Sequence, residues 1–110
     1  MRHDRLERMT KGWFVGNFSP HVLQSTDCEV AIKHYTAGDY EAAHYHKVAT
    51  EITAIVSGSV RMLGGDWSAG DILTIEPGET TDFLALTDCV TVVVKAPSAP
   101  DDKFLAAAQS

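Results

Sequence analysis

Turn residues recur along this chain every eight to twelve positions, and that cadence limits its fold more than any other feature. Ala37-Gly38-Asp39, Gly58, Gly64-Gly65-Asp66, Pro77-Gly78 and Thr87-Asp88 each punctuate short runs rich in β-branched residues. Those runs are 30–35, 44–46, 51–57, 60–63, 72–75, 83–86 and 90–95, with a further apolar run beginning at Trp13-Phe14-Val15. Segments this short suit strands, and turn signals at this spacing mark a sandwich or barrel. The Gly-Gly-Asp break is a hairpin signal. The pattern predicts an all-β fold, a sandwich or a barrel.

The cadence also sets boundaries. Residues 1–27 read as an N-terminal extension whose strand packs on the barrel, 28–96 as the barrel and 97–110 as a tail. Two prolines, Pro97 and Pro100, end the sheet. Past them, Asp101 and Asp102 could start a short helix over 101–109, with Phe104, Leu105 and Ala108 on one face. Leu6 and Met9 allow a second, short amphipathic turn near the start.

Composition enters as a set of exclusions. At 110 residues and 45% hydrophobic, the chain supports one core. Nine Lys+Arg against fifteen Asp+Glu give a net charge of −6 with no basic run, which argues against a nucleic-acid partner. The longest apolar runs are about five residues, where a membrane span needs roughly 20. No apolar stretch follows the charged first residues, so the expectation is a cytoplasmic protein with Cys28 and Cys89 as reduced thiols.

Chemistry concentrates between Gly38 and Gly58. His44 and His46 are two apart, so on a strand their imidazoles share a face. Four residues separate His46 from Glu51; a hairpin of that length would set the two opposite each other on paired strands. Two imidazoles and a carboxylate suit Fe, Mn, Ni or Zn as divalent ions and leave positions open for a ligand. On spacing alone, a polar, solvated sheet face accounts for the same residues equally well.

The stretch resembles the first motif of the cupin superfamily. Gly38, His44, His46, Glu51 and Gly58 fill all of its fixed positions, with intervals of five, one, four and six residues. The resemblance spans about 28–96 and implies a small β-barrel of the jelly-roll type. It further implies metal ligation by His44, His46 and Glu51, a small-molecule ligand, and pairing into a homodimer. The second motif is incomplete. Gly70 and Gly78 keep its turns, but Glu76 stands at the expected proline, Thr81 at the metal-binding histidine and Ala85 at the final asparagine. Three readings follow: a three-ligand metal completed by water or substrate, a fourth oxygen from Asp82 after a one-residue strand slip, or no metal at all. Thr81 is the poorer oxygen donor. His34 or Tyr35 could face the pocket, only one of them at a time, with Lys33 on the face of Tyr35; Tyr40 and Glu41 would lie in the turn at its mouth. The expected activity is metal-dependent oxygenase or isomerase chemistry on a small polar metabolite. The alternative is a non-catalytic module that binds or senses a carbohydrate-like molecule.

Overall fold

Alternation of buried and exposed residues sorts the strands into two sheets. The computed structural model describes residues 1–106. One sheet has six strands in the order β2 (Leu23–Gln24), β1 (Trp13–Gly16), β3 (Glu29–Tyr35), β10 (Cys89–Ala96), β5 (Thr50–Ser57) and β8 (Ile72–Ile75). The other has five, in the order β11 (Phe104–Leu105), β4 (Tyr40–Tyr45), β9 (Thr81–Ala85), β6 (Ser59–Met62) and β7 (Gly65–Ser68). All pairings are antiparallel except β1 with β2. The all-β expectation holds. Hydrogen bonding does not close the sheets into a barrel; they are two faces packed on each other, with β2, β8, β11 and β7 at the edges.

The core lies between the faces. Ile55, Leu73, Ile75 and Cys89 from the first sheet meet Val60, Met62, Phe83 and Ala85 from the second, all nearly sealed from water. Full burial of one such side chain contributes about 1.5–3 kcal/mol. Val60, Met62, Leu73, Ile75, Phe83 and Ala85 each occupy alternate positions of their strands, as a two-residue period requires.

The two motif glycines mark corners where the chain leaves one sheet for the other. Gly38 (φ +93°) joins β3 to β4, and Gly58 (φ +81°) joins β5 to β6. At Gly58 a Cβ would lie 2.2 Å from the Asp88 carbonyl oxygen, so space as well as torsion requires glycine there. The Gly64 turn is the tight hairpin the sequence indicates, with Met62 facing Gly65 across β6 and β7.

The proposed C-terminal helix is not formed over its described part. Residues 104–105 are the short strand β11 on the edge of β4, and 107–110 lie outside the described residues. The reason is the alternative partner: the free edge of β4 offers a ladder, and Tyr45 stacks on Phe104 with ring centres 5.6 Å apart. Near the start, Leu6–Arg8 form a single 3₁₀ turn. No helix among the described residues is long and apolar enough to cross a membrane. Cys28 and Cys89 are both unpaired.

Candidate functional site

His46 and Glu51 do not meet as partners in a hairpin. Their strands belong to different sheets: β4 pairs with β9 and β11, and β5 with β10 and β8. With both edges of β5 already taken, the segment 47–49 becomes a crossover. The two side chains still converge, because the sheets face each other. His46 Nε2 lies 3.4 Å from Glu51 Oε1.

Both imidazoles are fixed from behind. His44 Nδ1 is 2.9 Å from the Ala42 carbonyl oxygen, and His46 Nδ1 contacts the Asp102 carbonyl oxygen. A carbonyl accepts only, so each Nδ1 carries the proton and each neutral ring presents Nε2 as its lone pair. That is how second-sphere contacts orient metal-binding histidines. His44 and His46 are 8% and 4% exposed, and His46 Nε2 has no hydrogen-bond partner. An orphaned nitrogen this deep is costly unless something fills it. The rings stand nearly perpendicular, with centres 5.6 Å apart.

Electrostatics favour a cation between the pair. Glu51 pushes the His46 imidazole above its ordinary range against the opposing effect of burial, and the Asp102 carbonyl adds to the rise. Burial pushes the Glu51 carboxyl up, but His46, Lys95 and His44 together hold it below the usual range. The Thr53 hydroxyl donates to Glu51 Oε2 at 3.2 Å. Among the described residues, no three His, Cys, Asp or Glu side chains are already gathered as a preformed metal centre. The donor chemistry nonetheless fits a divalent ion: two imidazoles each held at Nδ1 by a carbonyl, and a carboxylate beside one of them.

Asp102 was not legible as part of this site. Placed in sequence as a helix starter, it instead clamps the crossover. Its carboxylate accepts from the backbone N–H groups of Lys47, Val48 and Ala49 at 2.8, 2.9 and 2.8 Å. Burial raises its pKa, but the three N–H groups outweigh that and hold it below the usual carboxylate range. One residue thus anchors the 47–49 backbone and, through its carbonyl, the His46 ring. No local pattern signals it, because its partners lie more than fifty positions upstream.

The strand slip that would turn Asp82 inward is not present. Thr81, Phe83 and Ala85 are the buried positions of β9, and Thr81 faces His44 across the ladder. The Thr81 hydroxyl is engaged twice, accepting from Leu63 N–H at 2.9 Å and donating to the Asp82 carbonyl at 2.7 Å. Asp82 borders the cavity and accepts from the Tyr40 hydroxyl at 3.2 Å. Tyr40 and Glu41 belong to β4, not to a turn. Glu41 and His44 are three residues apart and would point to opposite faces of a regular strand; a register shift between them brings both to the cavity. Tyr40 is left exposed at 60%. On β3, Tyr35 faces in and His34 faces solvent. Tyr35 donates to Glu41 Oε1 at 3.0 Å, and burial together with that carboxylate pushes its phenol far above the ordinary range.

Tyr35, Glu41, His44, Glu51, Thr81 and Asp82 line a cavity of about 350 Å³ between the sheets. Polar groups enter it from His44, Glu51, Glu41 and Tyr35, and apolar ones from Trp13, Met62 and Phe83. A concave site of this size with few convergent polar groups suits a small molecule.

A β-sandwich of two facing sheets with a histidine–glutamate cavity between them defines the class: the chain has the double-stranded β-helix, or cupin, fold. The solved structures agree. It is similar to an uncharacterised conserved protein with a double-stranded β-helix domain from Klebsiella pneumoniae, at 26% identity over 77% of this chain and 75% of that one, TM-score 0.69. It is similar to KdgF from Halomonas sp., at 21% identity over 70% and 76% of the two chains, TM-score 0.63. It also matches Bacillus subtilis oxalate decarboxylase, a protein with Mn(II) centres, at 19% identity and TM-score 0.64, covering 74% of this chain and 24% of that one. No protein-family model matches the sequence, and neither does any curated protein.

Proposed function

We propose that this chain is a metal-binding cupin acting on a small polar metabolite, with His44, His46 and Glu51 as ligands to a divalent Fe, Mn, Ni or Zn ion. The observation that carries the reading is the buried, partnerless Nε2 of His46 beside Glu51, with both histidine rings held in the same ligating tautomer. A bound ion would supply Lewis-acid polarisation of a ligand oxygen, for oxygenase- or isomerase-type chemistry. The chain's own residues supply the rest. The Ala42 and Asp102 carbonyls orient the rings, Thr53 orients Glu51, and Phe83 and Met62 exclude water. Tyr35 holds a proton at Glu41 Oε1, on the same cavity wall as the ligand.

Metal analysis of protein purified without chelator or affinity metal tests this reading. Wild type is expected to carry close to one ion per chain and the His44→Ala/His46→Ala variant only background. Equal content in the two would refute it.

A non-catalytic binding or sensing module is the second reading. It is favoured by the Tyr35–Glu41 pair, which leaves neither group free to act alone. Saturable binding of a ligand that is recovered unchanged would select it. We also propose a cytoplasmic homodimer joined through the exposed apolar side chains Ile52, Val56 and Ile72 on the outer face of β5 and β8. A solution mass of twice 11.9 kDa is the expected result.

A further inference from the structure

The carboxylates that face the cavity have partners. Glu29 accepts from the Ser98 hydroxyl at 2.9 Å and lies 4.0 Å from Lys95 Nζ. Glu41 is held by Tyr35, Asp82 by Tyr40, and Glu51 by Thr53. Two groups on the β3–β10 wall have none among the described residues. Lys33, half-buried, makes no ion pair. The Thr91 hydroxyl is buried without a hydrogen bond, on a residue that is 1% exposed.

These two are neighbours. Thr91 and Lys33 face each other across the β10–β3 ladder, and both side chains line the cavity. Facing residues on one side of a sheet have Cβ atoms about 5 Å apart. A second lysine shares the wall. Lys33 Nζ and Lys95 Nζ lie 5.3 and 4.8 Å from the centre of the same Trp13 ring, and only Lys95 has a carboxylate within reach. Burial lowers the Lys33 pKa, with Glu41 opposing and Lys103, Lys95 and Lys11 assisting. An ammonium without an ion-pair partner beside an unused hydroxyl, both on residues that line the cavity, matches the groups that receive an anion.

We propose that the β3–β10 wall is a carboxylate subsite. Lys33 and Thr91 take the anionic head of a small organic acid, and Trp13 and Phe83 take its apolar body. The inference rests on the reading above only in placing the small ligand in this cavity; it does not require the metal.

The test uses benzoate and its neutral isostere benzamide, titrated into the EDTA-treated full chain and followed by amide chemical shifts. Benzoate is expected to saturate, moving resonances on β3 and β10, and to bind at least tenfold more tightly than benzamide. Lys33→Met should weaken benzoate at least tenfold, and Lys33→Arg no more than about threefold. Thr91→Val should weaken it about threefold without lowering the unfolding temperature. Should Lys33→Met not fold, the Arg and Val variants still decide the matter. Equal binding of benzoate and benzamide, wild-type affinity in Lys33→Met, or no benzoate binding at all would overturn the subsite. Lys33-dependent binding in EDTA with equal metal in wild type and the histidine variant keeps the subsite and removes the metal reading. Loss of metal in the histidine variant with benzoate indifferent to Lys33 does the reverse.

Discussion

The interior of this sandwich has two halves, and β5, β9 and β10 run through both. The half built around β6 and β8 is sealed and apolar, with Val60, Met62, Leu73 and Ile75 almost free of solvent contact. The half built around β3, β10 and the end of β4 is hollow and polar. It holds Glu29, His44, His46, Thr53, Thr81 and Thr91 at less than a tenth exposed, beside a cavity of about 350 Å³. Along β5 the change occurs in a few residues: Glu51 and Thr53 belong to the cavity and Ile55 to the core. One half therefore supplies cohesion, and the other spends buried polar groups on a site. Buried polar groups that lack partners destabilise a fold, so the second half depends on the first.

Mutations on either side of that divide should behave oppositely. The largest effect is expected from Ile55→Ala in the sealed half. Cavity formation there should cost about 3–4 kcal/mol, a fall of about 15 °C in Tm, with metal content unchanged below the transition. Loss of metal together with stability would show that the halves are not separable.

Asp102→Ala is expected next, at about 2–3 kcal/mol, because it strips a carboxylate from three buried N–H donors. Its folded pKa is depressed, so its contribution is complete above the unfolded carboxylate value, about 3.9, and fades as pH falls through the lower folded value. Denaturant melts of metal-free protein should therefore show the difference between wild type and variant shrinking below about pH 4. A constant gap down to pH 2 would mean that the clamp is not ionised.

The smallest effect has the opposite sign. Thr91→Val replaces an unsatisfied hydroxyl with a methyl group and should raise stability by about 1 kcal/mol, or roughly 4 °C by calorimetry. A drop would mean that the hydroxyl has a structural partner and that this part of the hollow half is built for stability after all.

How much could be read in advance depends on where each residue's partners lie. His44, His46 and Glu51 were legible because their relation is local, carried by a two-residue strand period and a short crossover. Their pairing as a hairpin was not, because alternation names the face a residue occupies and never the neighbouring strand. Asp82 illustrates the same gap. Pattern alone leaves two registers open for β9, and the buried Thr81, Phe83 and Ala85 select one. The register shift in β4 that brings Glu41 inside left no signature in residue type.

By itself the sequence determined the class of fold, the corners at Gly38 and Gly58, and the imidazole pair, since torsion and period are properties of a few consecutive residues. The tertiary structure alone decided that the sheets remain open at their edges, that Asp102 clamps the crossover, and that Lys33 meets Thr91. Each of those depends on strands distant in sequence lying side by side, and the free energy that chooses neighbours is shared over a whole interface rather than written at any one position.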